Sequence, residues 1–402
     1  MNSEDAPSTI TPLPGPEYVP EAGLAAAIVP PPVAPPAPEP AETRFLKWIV
    51  FGSQGLRVGW SVALFMVLFI LFIAIQGLLA KLILHDLMHI KLGNFTAGSS
   101  IVNETIQLFA LLGAAAVMAL IEHRRIMDYN LRGPSRLRHF LTGLVGGFLA
   151  LSALVGGLYE GGWLHFGAVS GSGAGSLSSL AILEFGALWG IGFLLTGLGE
   201  EGLTRCYMLF TLTRGINYWW ALGTVGCFSL FAWLNTHGSG AGGVYIMALL
   251  GVVPCLWLHL KKSPAAVFWE AAWLTSTFFG YIHTLNEGET WIGIFSAASI
   301  GFVFCVSVRL TGSAWWAIGF HAAWDWTQTF FYGTADSGFK PQGHYLTTNP
   351  AGPALWSGGT DGPEGSLLVL PTVLLVLVAL LIFYRRRPEV ESASPTAQAQ
   401  LS

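Results

Sequence analysis

From about residue 58 onward the chain alternates long apolar runs with short breaks of charged, polar or glycine-rich residues. The runs fall at 58–82, 102–121, 139–165, 182–204, 218–236, 242–260, 265–285, 291–309, 311–331 and 366–384. Most have the length of about 20 residues that a helix needs to cross the hydrocarbon of a bilayer. Leu, Val and Phe follow one another in them without the period-two alternation of a barrel strand. In lipid only helices and closed barrels satisfy their own backbone hydrogen bonds. The pattern therefore predicts an all-α, polytopic transmembrane helical bundle of about ten spans.

The polar breaks orient the bundle. Arg44, Lys47 and Arg57 precede the first run. Basic residues follow the second run (His123 to Arg138), the fourth (Arg205, Arg214), the sixth (Lys261, Lys262), the eighth (Arg309) and the tenth (Arg385 to Arg387). The intervening breaks carry mostly Gly, Asn, Thr and acid, with Lys81 and Lys91 as exceptions. By the positive-inside rule both termini are cytoplasmic. Glycines inside runs, such as Gly143, Gly146 and Gly147, read as sites of close helix approach.

Composition agrees with a membrane protein. Of 402 residues 53% are hydrophobic and 10% charged, with a mean hydropathy of +0.58. A soluble domain carries about 25% charged residues. The expected location is a multi-pass position in a bacterial inner (cell) membrane, with lipid as a partner. No basic stripe with interleaved aromatics marks a nucleic-acid partner. The start, MNSEDAPSTI, is polar and acidic, so no cleavable signal peptide is expected. Cys206, Cys227, Cys255 and Cys305 lack CxxC spacing and are expected to be buried free thiols.

The expected organisation is a disordered Pro-rich cytoplasmic tail at 1–42, N-terminal membrane helices at 43–177, and a helical core at 178–332. A turn-rich outer loop at 333–365, either a cap or a linker, leads to a last membrane helix at 366–387 and a disordered cytoplasmic tail at 388–402.

Ionisable side chains inside apolar runs are costly and so are functional candidates. Glu200, Glu201 and Arg205 end the fourth run; Glu201 and Arg205, four apart, share a helix face, while Glu200 points about 100° away. His283 follows Phe279 near the end of the seventh run, with His237 as a competitor. His321 and Asp325 stack on one face of the ninth. Such a set can activate water, hold an oxyanion and admit water to a peptide bond in lipid. No GxSxG nucleophile motif is present.

Glu200-Glu201…Arg205, Phe279…His283 and His321…Asp325 resemble the EExxxR, FxxxH and HxxxN/D motifs of the CPBP family, the CAAX proteases and bacteriocin-processing (Abi) enzymes. The resemblance covers about 195–330. It implies an intramembrane endopeptidase, of glutamic or metallo type, acting on a peptide or protein near the membrane. By the same resemblance Glu200 with His283 activates water, His321 and Asp325 stabilise the oxyanion, and Arg205 positions the glutamates with Glu201 as its partner. No cofactor is required on this reading; zinc stays open, with Glu200, His283 and His321 as the ligand set. A proton-coupled transporter and a non-catalytic scaffold are the rival readings.

Three departures stand out. The gap from Arg205 to Phe279 exceeds family spacing by roughly two helices, which predicts an inserted hairpin at about 218–262. At the usual spacing Phe231 is followed by Asn235 instead of histidine. The third motif ends in Asp325 where Asn is commoner, and Cys206 stands where glycine often follows the arginine. Glu200 falls near the inner end of its run and His283 near the outer end of its own, so they meet only if the fourth helix extends to about 190–212, or if helices tilt or break.

Overall fold

The computed structural model describes residues 45–384 apart from 46, 48, 53–54, 90–94, 168–176, 239, 287 and 339. Both predicted tails lie outside the described residues. The chain divides into two units, Met1–Lys47 and Trp48–Ser402, and every helix named below belongs to the second.

Ten helices stand where the apolar runs predict them. They are α1 (Val58–Ala80), α2 (Ala97–Ile121), α3 (Arg136–Glu160), α4 (Ser179–Glu201), α5 (Tyr218–Thr236), α6 (Ala241–Leu260), α7 (Ala266–His283), α8 (Trp291–Thr311), α9 (Trp315–Trp326) and α10 (Val369–Phe383). Short polar residues start several of them by accepting an otherwise orphaned N–H: Thr96 from Ser99, Ser178 from Ala181, Asn217 from Trp220 and Thr290 from Gly293. Among the described residues six helices are long and apolar enough to cross a membrane. The protein is thus a helical integral membrane protein, but these criteria do not single out all ten runs as spans.

The largest correction concerns α4. It does not stop at 204 but continues through a π-helical stretch, Gly202–Met208, and a last turn, Leu209–Leu212. A second π stretch, Thr327–Phe331, extends α9 directly after the third motif. Such wide turns shift the register of the side chains and occur often at functional sites. The third run is also shorter than read, since the chain leaves α3 at Gly161 and forms a strand at Leu164–Phe166.

The glycines seat α3 on α9. A Cβ on Gly143 would strike the Trp316 carbonyl, and one on Gly147 the Phe320 carbonyl. From the other side, a Cβ on Gly319 would meet the Phe140 carbonyl. Backbones can approach this closely only without side chains between them. In α8, 72% of the apolar window lies inside the protein against 11% in α1, so α8 is central and α1 peripheral. Of the four free cysteines, Cys206, Cys255 and Cys305 are buried as expected, but Cys227 is exposed on α5.

The 333–365 segment is a cap rather than a linker. Its strand Thr348–Pro350 pairs antiparallel with Leu164–Phe166. The Trp356 ring stacks on Trp163 at 5.0 Å. Trp189 donates to the Gln342 carbonyl at 3.1 Å. The cap is therefore fastened to the end of α3 and to α4.

Candidate active site

The longer α4 removes the tension between Glu200 and His283. With the helix running to Leu212, Glu200 is no longer at its end. Glu200, His283, His321 and Asp325 all line one cavity of about 220 Å³ between α2, α4, α7, α8, α9, α10 and the cap.

The inner wall of this site is a buried ionic network. Arg205 and Glu201 are both fully buried, and Arg205 Nη1 donates to Glu201 Oε1 at 3.3 Å and to Thr204 Oγ1 at 2.6 Å. The guanidinium lies over the Phe279 ring at 4.3 Å and near the Phe304 ring at 5.4 Å. Its electrostatic attraction to the ring faces adds to the ion pair. Gly301 makes the room, since a Cβ there would meet Arg205 Nη2. Asn130 Nδ2 donates to the Arg205 carbonyl at 2.8 Å, answering an acceptor within the π stretch.

Glu201 is shared. The same Oε1 takes a hydrogen bond from His321 Nδ1 at 2.9 Å. This leaves His321 Nε2 facing Asp325 Oδ2 at 3.4 Å and Glu200 Oε2 at 3.8 Å. The imidazole is stacked on Phe304 at 5.9 Å. Glu201 thus orients the histidine, while Glu200, one residue earlier and turned away, is presented to the cavity. His283 is placed differently: its Nδ1 bonds the Phe279 carbonyl at 2.8 Å, within its own helix. It reaches the cavity wall without joining the Glu201–Arg205–His321 network. His237 does not line the cavity; it closes α5 in the left-handed backbone region at φ 49°.

Several cavity residues escaped the motif reading. Glu104 of α2 is one, and its Oε2 accepts from Gln107 at 3.0 Å. A lone carboxylate in an apolar run was a visible signal for it. Asn286, Glu289, Asp336 and Glu364 also line the cavity. They come from turns and the cap, where polar residues are ordinary, so no local signal marks them.

The cap residues are held firmly. Thr329 Oγ1 donates to Asp336 Oδ2 at 2.6 Å and Trp324 Nε1 to Glu364 Oε1 at 2.7 Å. Asp361 Oδ2 takes the Thr290 N–H at 3.0 Å and its hydroxyl at 2.7 Å. Burial, with Glu364 nearby, pushes the Asp336 carboxyl up to about 8. Burial pushes Asp361 up to about 6 and holds Glu289 well above the usual carboxylate range.

A second cavity, about 610 Å³ and almost wholly apolar, is walled by α6, α7, α8 and α10. Val373 of α10 borders both.

A buried glutamate–arginine–histidine network thus adjoins an acidic cavity within the helical bundle. Residues 255–327 match the family model of the type II CAAX prenyl endopeptidase Rce1-like proteins. That model belongs to the CPBP family, the family the three motifs resemble. The match spans the second and third motifs and supports a CAAX-protease-type intramembrane peptidase at the level of the family. It begins at Cys255, so it does not include Glu200, Glu201 or Arg205. No curated protein and no solved structure matches the chain.

Proposed function

We propose that the protein is an intramembrane endopeptidase that hydrolyses a peptide bond with water activated by Glu200 and His283. The observation that carries this reading is the division of labour between adjacent glutamates. Glu201 is consumed by Arg205 and His321, at 3.3 and 2.9 Å, while Glu200 faces the cavity. In the proposed step Glu200 takes a proton from water as its oxygen attacks the carbonyl carbon. His321, held by Glu201, and a protonated Asp325 donate to the resulting oxyanion. On collapse the C–N bond breaks and the proton held on Glu200 goes to the leaving amine, so the sum is peptide plus water to acid plus amine. Arg205 and Glu201 act as positioning residues.

Glu200, His283 and His321, the ligand set open to zinc, do not bring their donor atoms together as a metal site would; among the described residues the acids that do so are Asp325, Asp336 and Glu364, and a zinc ion would supply Lewis-acid polarisation. The metal-free scheme is preferred because His321 already has Nδ1 committed to Glu201 and Arg205 adds a positive charge behind the site. The apolar cavity beside the site suits a substrate with a lipid or other hydrophobic segment, in keeping with the prenyl endopeptidase name of the matched family. The same proposal includes ten spans, both termini cytoplasmic, a bacterial inner membrane, and α5–α6 as an inserted hairpin. The test is incubation of membrane-protein substrates with wild type and Glu200→Gln: a cleavage product made by the first and not by the second supports the reading, and equal products refute it.

A further inference from the structure

The polar wall of the cavity is one-sided. Glu104, Glu200, Glu289, Asp325, Asp336 and Glu364 line it, and no lysine or arginine among the described residues does. Its basic groups are His283 and His321 alone. Carboxylate oxygens of Asp325, Asp336 and Glu364 lie within 4.8 Å of one another, and Asp325 and Asp336 are each only 8% exposed. Carboxylates this close repel once ionised, and burial strengthens the repulsion, so a cation entering the cavity is what lets them ionise together.

A separate observation points the same way. Asp361 is fully buried, and its Oδ1 has no hydrogen-bond partner. That oxygen lies 3.2 Å from where a side chain on Gly293 would begin, and Gly293 lines the cavity. An unanswered buried acceptor therefore sits immediately behind the acidic wall. The acids are also fixed in place, Asp336 by Thr329, Glu364 by Trp324 and Asp361 by Thr290. Fixed acceptors gain from a donated positive charge without having to be ordered first.

We propose that the cap makes this cavity selective for cationic peptides, with Asp336, Glu364 and Glu289 receiving a lysine or arginine side chain that flanks the bond addressed by Glu200. The proposal rests on the peptidase reading for its ligand class. An ammonium or guanidinium answers several carboxylates at once, whereas a glutamate at the same place adds to their repulsion. The network around Arg205 needs no such ligand, because it holds its own cation.

The experiment separates this inference from the peptidase reading by measuring binding apart from cleavage. Full-length Glu200→Gln protein in nanodiscs is titrated with fluorescent peptides that share one apolar core and carry flanking lysines, glutamines or glutamates. The lysine peptide is expected to bind about tenfold more tightly than the glutamate peptide at low salt, with glutamine between, and to lose that advantage as salt is raised. Asp336→Asn with Glu364→Gln, added to the same background, is expected to bring the peptides together. Equal binding of all three in the parent overturns the proposal, whether or not the double variant folds. Tighter binding of the glutamate peptide, abolished by a chelator, overturns it in favour of a cation bound in the cluster. Cleavage of the same peptides by the wild type is scored separately: preferential binding without any cleavage leaves charge selection standing and removes the peptidase reading.

Discussion

Two groups of carboxylates lie in and behind the wall of this cavity, and they are balanced in different ways. On the α4–α9 side, Glu201 is neutralised inside the protein by Arg205 and His321, both at hydrogen-bond distance. On the cap side, Asp336, Asp361 and Glu364 accept from Thr, Trp and Ser donors but have no cationic partner at ion-pair distance among the described residues. The first arrangement holds the His321 ring in one orientation. The second leaves buried acceptors with no cation of their own among the described residues.

Breaking the balanced side should have the largest effect. Arg205→Leu leaves buried Glu201 with His321 alone to answer it, and loss of one member of a buried pair costs up to about 3–5 kcal/mol. Thermal unfolding in detergent is expected to show that loss, and Glu201→Gln in the same background should restore part of it. A full-strength protein after Arg205→Leu alone would mean that the pair contributes nothing.

Next in size is the histidine comparison. His283 lines the cavity and His237 caps α5 away from it. His283→Ala is expected to lower kcat/KM by about a hundredfold or more, the contribution of a general acid–base group. His237→Ala is expected to leave it unchanged. The opposite pattern in a peptide-cleavage assay would show that the second motif was misassigned.

The unbalanced side should respond to pH. Asp361 is raised to about 6 and Asp336 to about 8, both chiefly by burial, above the usual carboxylate value of about 3.9. A carboxyl raised in the folded state favours folding while protonated. Its contribution is complete below about pH 4 and fades as pH rises through the folded-state value. Protection factors of residues 333–365, corrected for base catalysis of exchange, are therefore expected to fall between about pH 6 and 8, with those of the network helices unchanged. Asp336→Asn should flatten the upper part of that change. A cap whose protection strengthens with pH would contradict the account.

The smallest expected effect is that of metal removal. A strong chelator should leave cleavage unchanged, and elemental analysis should find less than one zinc per chain. One zinc per chain, lost together with activity in Glu200→Ala, would replace the metal-free scheme with a zinc-dependent one.

The bundle was legible in the sequence because bilayer thickness sets a one-dimensional length that apolar runs report directly. The error on α4 has a physical origin. Glu200, Glu201 and Arg205 read as a helix end because isolated charges belong at the interface. They sit mid-helix because Arg205, Glu201 and His321 answer one another in three dimensions. The spacing of Glu201 and Arg205, and of His321 and Asp325, did reveal which side chains pair along a helix, since neighbours four apart share a face. The contact that joins the two helices, Glu201 to His321, is 120 residues apart in sequence and has no local mark. The cap acids were hidden for the complementary reason. Asp336 and Glu364 lie among Gly, Pro and Ser, where a carboxylate is unremarkable until Trp324 and Thr329 draw it onto the cavity. Glu104 was the one readable residue missed, a single acid in an otherwise apolar run.

The central claim is that Glu200 performs the chemistry and Glu201 supports it. Profiling of newly formed protein N-termini in membranes containing wild type, Glu200→Gln or no protein tests it most directly. The account predicts a set of termini present only with the wild type and absent in both other samples. The same termini appearing with Glu200→Gln, or none appearing at all with well-folded wild type, would contradict it.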